Sequence, residues 1–234
     1  MTIETMTTET ISAESMTEII SSDTLISESP VFSARNAVIE CDVPSYLQEL
    51  SSTIQRLPVQ SINRLAEVLL GAYARSRTIY LFGNGGSAAL ASHLSCDLGK
   101  GTVPGGGGRR LRAVALTDNV ALITAWANDA RYDSIFSEQL ENLLDPGDVA
   151  FAISASGNSP NILAGLSLAR RAGAVTAGVA GFQGGKMKTL CDICVVVPSE
   201  NMQIIEDLHL SIAHAVFRVV RQRMERPMAR AASV

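Results

Sequence analysis

Five short apolar segments, separated by stretches with helical spacing, constrain the fold of this 234-residue chain more than any other feature. Each segment is almost wholly apolar and lacks the alternation of apolar and polar side chains that marks a strand exposed on one face. Such strands, alternating with amphipathic helices, indicate a parallel sheet that helices cover on both faces. The predicted strands are TIYLF (78–82), RAVAL (112–116), VAFAIS (149–154), AVTAGVA (174–180) and ICVVVP (193–198).

Apolar side chains that recur every three or four residues predict the helices of this α/β fold. Two helices precede the first strand, at about 44–56 and 59–75. The helices predicted after it lie at about 87–98, 119–127, 133–144, 159–172 and 203–225. In a parallel sheet of this kind, ligands bind beyond the carboxyl ends of the strands.

The first part of the chain differs in composition from the rest. Residues 1–42 carry eight acidic side chains and one basic side chain, and the first 30 residues include 13 Ser or Thr. Segments of this kind bury too little apolar surface to fold. We predict a disordered tail at 1–40, one domain at 41–226 and a short C-terminal tail at 227–234.

Composition excludes several classes of protein. No apolar run reaches the roughly 18 residues of a membrane span, and the N-terminus lacks the basic and apolar regions of a secretion signal. The residues after 42 carry a net charge of only +3, too little for a nucleic-acid groove. Four cysteines are too few for a disulfide scaffold, which makes the reducing cytoplasm the expected compartment.

Two loops predict an anion site. The sequences GNGGS (83–87) and SASGNS (154–159) each follow a strand and open a helix, where free backbone N–H groups and the helix dipole favour a phosphate. The first loop fits a dinucleotide motif, but no acidic residue ends a strand about 20 residues later. The segment AGFQGGKM (180–187) resembles a P-loop but ends in Met where Ser or Thr would bind magnesium.

All three histidines lie in two predicted helices that also carry acidic residues. His93 is one turn before Asp97, and His209 and His214 follow Glu206 in the last helix. Imidazole and carboxylate groups together suit zinc or a similar divalent ion. Glu206 and His214 are about 12 Å apart along a straight helix. Glu206 therefore precedes the helix proper, has another role, or joins a site shared by two subunits.

Five segments, taken together, resemble the sugar isomerase (SIS) domain family and, within it, the phosphoheptose isomerases. They are GNGGSAALASH, ANDARYD, AISASGNSPNI, GGKM and EDLHLSIAH, in this order across residues 43–225. The resemblance implies a flavodoxin-like sheet and a homotetramer with active sites between subunits. It also implies a ketose–aldose isomerase that converts sedoheptulose 7-phosphate to D-glycero-D-manno-heptose 7-phosphate through a metal-assisted enediolate.

The resemblance also implies a role for particular residues. Zinc would be bound by His93, Asp97, Glu206 and His214, with Asp97 as the catalytic base and His214 as the acid. The residues implied to contact the sugar phosphate are Asn84, Gly85, Gly86, Ser87, Asn128, Asp129, Ser154, Ala155, Ser156, Ser159 and Glu206.

Three of these positions depart from the family pattern. Asp97 replaces Glu, Glu206 replaces Gln and Ala155 replaces Thr, so the metal and phosphate sites persist while the substrate can differ.

Two other functions remain open. Residues 117–129 also resemble a non-catalytic SIS adaptor that binds the bacterial replication initiator, but that protein lacks the acid at 97 and the histidine at 214. A sugar-phosphate-sensing transcription regulator needs a helix-turn-helix arm, which the N-terminal sequence does not supply.

Overall fold

A five-stranded parallel sheet forms the centre of the protein, in a computed structural model that describes residues 42–102 and 109–225. The predicted tails at 1–40 and 227–234 lie outside these residues. The strand order is β2-β1-β3-β4-β5, and every pair of neighbours is parallel. The strands are β1 (Thr78–Gly83), β2 (Arg112–Ala115), β3 (Val149–Ser154), β4 (Val175–Ala180) and β5 (Ile193–Val196). All five strand predictions are confirmed.

Eight helices flank the sheet in the part of the chain that the structure describes. Two of them, α1 (Val43–Gln55) and α2 (Val59–Ala74), precede β1, as predicted. Those that follow are α3 (Gly86–Gly101), α4 (Val120–Asp129), α5 (Ser137–Leu143), α6 (Pro160–Arg171), α7 (Met187–Leu190) and α8 (Met202–Glu225). Within the described ranges, no helix is both long and apolar enough to span a membrane.

The predicted helix at 133–144 is wrong in its first part. Tyr132–Ser134 forms a single 3-10 turn, and regular helix begins only at Ser137. The hydroxyls of Ser134 and Ser137 each donate to a carbonyl three residues back, which favours the tighter turn over the α-helical pattern. The four-residue α7 was not predicted, because one turn is too short to show a helical period.

The sheet is buried on both faces, as its apolar strands predict. In β1, Ile79 and Leu81 belong to a core with α2, α3 and α8, whereas Tyr80 and Phe82 belong to the opposite core with α5 and α6. This division follows from the two-residue period of a strand. The ring centroids of Phe82 and Phe136 lie 5.3 Å apart in the second core.

The topology brings the two Gly/Ser loops together. β1 and β3 are parallel neighbours, with Gly83 opposite Ile153, so the segments that follow them leave the same edge of the sheet side by side. Gly83 is required at the start of its loop, because a Cβ there would lie 2.7 Å from backbone and side-chain atoms of Ser87. The first turn of α3 therefore packs directly against the end of β1.

Candidate active site

Three predicted metal ligands meet where α3 and α8 pack together. His93 and Asp97 are one turn apart on α3, and His214 reaches them from α8. The His93 Nε2 atom lies 3.2 Å from His214 Nε2 and 3.5 Å from Asp97 Oδ2, and His214 Nε2 lies 3.8 Å from the same carboxylate oxygen. His93, Asp97 and His214 therefore form one compact triangle of nitrogen and oxygen atoms, the candidate metal triangle.

The chemistry and spacing of this triangle fit a tetrahedral divalent ion. Zinc binds imidazole nitrogen and carboxylate oxygen at about 2.0–2.2 Å, which places two tetrahedral ligand atoms about 3.3–3.6 Å apart. The three observed distances bracket that value. The side chains of His93 and His214 are 48% and 46% exposed, so the triangle is open to solvent on one side. Three protein ligands with an open position are typical of catalytic zinc sites.

Glu206 lies apart from this triangle within one protomer. It belongs to α8, two turns before His214, so it does not precede the helix, and it is not part of the group whose ligand atoms all lie within 4.8 Å of one another. Its carboxylate lies instead beside Gly86, where a Cβ would be 3.2 Å from Oε1. The structure therefore brings together three of the four predicted ligands.

Seven of the eleven residues predicted to contact the sugar phosphate line one cleft of about 160 Å³ at the carboxyl edge of the sheet. This cleft adjoins a second one of about 250 Å³, whose lining includes Gly86 and His93, because Ser87 and Glu206 line both. The predicted residues on the first cleft are Asn84, Ser87, Ser154, Ala155, Ser156, Ser159 and Glu206. A ligand can therefore extend from the serine-rich loop (154–159) towards the metal triangle.

The segment GGKM supports the serine-rich loop. Gly157 has a φ of +62°, and a Cβ there would lie 2.2 Å from the carbonyl oxygen of Gly184. The backbone N–H of Met187 donates to Gly157 O at 2.9 Å, and that of Lys186 donates to the Asn158 side chain at 3.0 Å. These contacts hold the loop against the β4–α7 connection and leave no room for a residue larger than glycine at 157.

Asn128 and Asp129 are not brought into the clefts. They end α4 as exposed residues, and the Asn128 amide donates to the Asp129 carboxylate at 2.8 Å. Tyr132, three residues further on, does reach the first loop, since its hydroxyl donates to Asn84 Oδ1 at 3.1 Å. Gly85, with a φ of +54°, shapes the loop as the N-cap of α3.

His209 has a different environment from the other two histidines. It is only 1% exposed, and neither ring nitrogen makes a hydrogen bond of ordinary geometry. Burial lowers its pKa to about 4, an effect that the nearby carbonyl of Ala180 only partly offsets. His209 is therefore neutral at physiological pH and belongs to the core beside the metal triangle.

The burial of His209 predicts a loss of stability in acid. Its pKa is 6.5 when exposed and about 4 in the folded protein, so between these values the unfolded chain binds a proton that the folded chain does not. Stability therefore falls as the pH drops through this range, by about 2 kcal/mol between pH 7.5 and pH 5. Urea unfolding at one protein concentration should show this loss in the wild type and a smaller loss in His209→Leu. Equal losses in the two proteins would contradict the prediction.

Comparisons with known proteins agree with this fold. The sequence model of the SIS domain matches residues 45–181. A phosphoheptose isomerase of Paramagnetospirillum magneticum is 44% identical over 158 residues, covering 67% of this chain and 81% of that protein. A probable phosphoheptose isomerase of Thermoplasma acidophilum is 36% identical over 186 residues, covering 78% of this chain and 99% of that protein. The structure of phosphoheptose isomerase from Neisseria gonorrhoeae is similar, with a TM-score of 0.72 and 29% sequence identity. The similarity covers 77% of this chain and 97% of that one. The chain therefore belongs to the phosphoheptose isomerase family of SIS domain proteins.

Proposed function

We propose that this protein is a ketose–aldose isomerase that converts sedoheptulose 7-phosphate to D-glycero-D-manno-heptose 7-phosphate. The observation that carries the proposal is the adjacency of two clefts, one lined by the serine-rich loop and the other by His93, with Ser87 and Glu206 common to both. A phosphate bound at the first cleft directs the other end of an extended sugar towards the metal triangle. The relatives named phosphoheptose isomerase support the same substrate.

The serine-rich loop binds the phosphate in this proposal. Ser154 and Ser159 face each other, with their Oγ atoms 3.5 Å apart, and Ser156 is exposed at the tip of the loop. Hydroxyls, backbone N–H groups and the N-terminus of α6 supply neutral donors and a positive dipole, so a lysine is not required. Ala155 lacks the hydroxyl of the family's threonine but keeps its backbone N–H.

The isomerisation moves a hydrogen between two neighbouring carbons. Asp97 takes the proton from C1 of the ketose, an enediolate forms across C1 and C2, and the same carboxylate returns a proton to C2. His214 accepts the proton that leaves the O1 hydroxyl and donates one to O2, so the sugar gains and loses no atoms overall. The carboxylate and the imidazole that would carry out these transfers lie 3.8 Å apart.

Zinc is the ion that we propose for the triangle of His93, Asp97 and His214. These residues offer two imidazoles and one carboxylate, which is a donor set that zinc accepts. A bound divalent ion would supply Lewis acidity that stabilises negative charge on the sugar oxygens. A carboxylate would be less basic, and an imidazole nitrogen would carry no proton, while it bound the ion, so the ligand role would compete with the proton-transfer roles of Asp97 and His214.

Glu206 and the assembly complete the proposal. We propose a homotetramer with active sites at the subunit interfaces, where Glu206 binds sugar hydroxyls or contributes a carboxylate to a metal site of another subunit. Asn128 and Asp129, which are exposed and do not line the clefts of their own protomer, are further candidates for such a shared site. The cytoplasm is the compartment that we propose, because all three described cysteines are free thiols.

An assay of the purified protein with sedoheptulose 7-phosphate tests the proposal. We expect turnover to the aldose, loss of turnover after chelation, and recovery when zinc is added back. Turnover that survives complete removal of metal would contradict the role of the triangle. A protein that loads with zinc but neither binds nor converts the sugar phosphate would contradict the substrate.

A further inference from the structure

We propose that Asn161 is a positioning residue that fixes the side chain of Asn84 so that one amide N–H group is left for the substrate. Asn161 lies in the first turn of α6 and is 1% exposed. The inference rests on the proposed function, because it assigns a hydrogen-bond donor to the sugar phosphate of that reaction. Neither the loop motifs nor the family resemblance assigned a role to Asn161.

The two asparagine side chains pair with each other across 77 residues of sequence. Asn84 Nδ2 donates to Asn161 Oδ1 at 2.9 Å, and Asn161 Nδ2 donates to Asn84 Oδ1 at 2.8 Å. Each amide therefore uses both its nitrogen and its oxygen in one closed ring of hydrogen bonds. Such a pair joins the loop after β1 to the helix α6 that follows the other loop.

A backbone group determines the orientation of the whole pair. The N–H of Ile162 lies 2.9 Å from the side chain of Asn161 and can only donate, so the atom that it faces must be Oδ1. The other Asn161 atom is then Nδ2, which requires the oxygen of Asn84 opposite it. The Tyr132 hydroxyl can donate or accept, and with the amide in this orientation it donates to Asn84 Oδ1 at 3.1 Å.

This orientation leaves Asn84 one amide N–H group that can donate to a ligand. Its oxygen already accepts two hydrogen bonds, and one of its two N–H groups is used by Asn161, so the remaining N–H is the group available in the cleft. Asn84 lines that cleft together with Ser154, Ser156 and Ser159. The site therefore presents a donor to an oxygen acceptor of the sugar phosphate, and a rotated amide would present an oxygen that repels it.

A double-mutant cycle tests whether Asn161 acts through Asn84. Asn84→Ala and Asn161→Ala should each lower kcat/KM for sedoheptulose 7-phosphate by about tenfold or more, since each removes one oriented hydrogen bond. The double variant should be no worse than Asn84→Ala within about twofold, because the second change removes nothing further. Losses that multiply, or an Asn161→Ala protein within about twofold of the wild type, would overturn the proposal.

Two further variants separate positioning from stability. Asn161→Ser keeps a hydroxyl in the first helical turn, where serine is well tolerated, but cannot pair with both atoms of the Asn84 amide, so it should repeat the loss if Asn161→Ala folds poorly. Thr53→Ala removes a buried hydroxyl that donates to Glu49 O on α1 and should lower stability without changing kcat/KM. Wild-type protein that neither binds nor converts the sugar phosphate would reject the proposed function itself, a different result from failure of the cycle.

Discussion

Replacing His93 or His214 by alanine is expected to abolish isomerase activity, with a loss in kcat/KM of about 1,000-fold or more, while the protein remains folded. Each change removes one of three ligand atoms that lie within 4.8 Å of one another. The His214 change also removes the proposed acid. Both side chains are about half exposed, so truncation leaves no cavity in the core and should change the thermal midpoint of the metal-free protein little.

The measurement combines elemental analysis with the isomerase assay. Wild-type protein purified without chelator should contain about one equivalent of divalent metal per chain, and each histidine variant should contain much less. Arg218→Ala is the matched control, because Arg218 is exposed on α8 one turn after His214 and offers no ligand to a metal. Wild-type protein with less than about a tenth of an equivalent, and no uptake of added zinc, would contradict the metal site and favour the adaptor.

The sheet could be predicted from the sequence because its signal is local. All five strands are short apolar runs, and a strand buried on both faces needs no partner to be recognised. Parallel pairing alone places both loops at one edge, whereas their position side by side depends on the strand order, in which β1 and β3 are neighbours. The helix at 133–144 was harder to predict, since the serine hydroxyls that break its first turn compete with a helical pattern that remains present in the apolar residues.

The candidate site could be predicted only where its residues occur in loop motifs or at helical spacing. His93 and Asp97 are separated by one turn and share a face, which the sequence shows directly. His209 and His214 are five residues apart, about 140° around the helix, so His209 is buried in the core while His214 contacts His93 and Asp97. Sequence spacing alone does not say which of the two faces inward.

Asn161 and Tyr132 were not predicted because their partner is distant in sequence. Both bind Asn84, 77 and 48 residues away, and neither pattern of apolar residues nor local spacing reveals such a contact. A possible signal for Asn161 is its place just after Ser159 and Pro160, in the first helical turn that closes the anion loop. An asparagine in that position is ordinarily interpreted as a capping residue.

Ser156→Asp is expected to remove sugar-phosphate binding, raising KM for sedoheptulose 7-phosphate by about 100-fold or more. Ser156 is exposed at the tip of the serine-rich loop, so the larger side chain fits without unfolding the protein. Its carboxylate would lie close to the bound phosphate, and two like charges about 4 Å apart near a protein surface repel by about 4 kcal/mol. The loop cannot move away to relieve this repulsion, because Gly157 packs against the Gly184 carbonyl.

Ser156→Asn separates charge from size in this experiment, since asparagine has the shape of aspartate but no charge. It should raise KM far less than Ser156→Asp does, and added salt should reduce the difference between the two variants because it screens the repulsion between exposed charges. Calorimetric titration with inorganic phosphate, which lacks the sugar, should show the same order of affinities if the loop binds the phosphate group. Equal affinities for the Asp and Asn variants would place the phosphate elsewhere, because a negative charge at position 156 must weaken the binding of a neighbouring dianion.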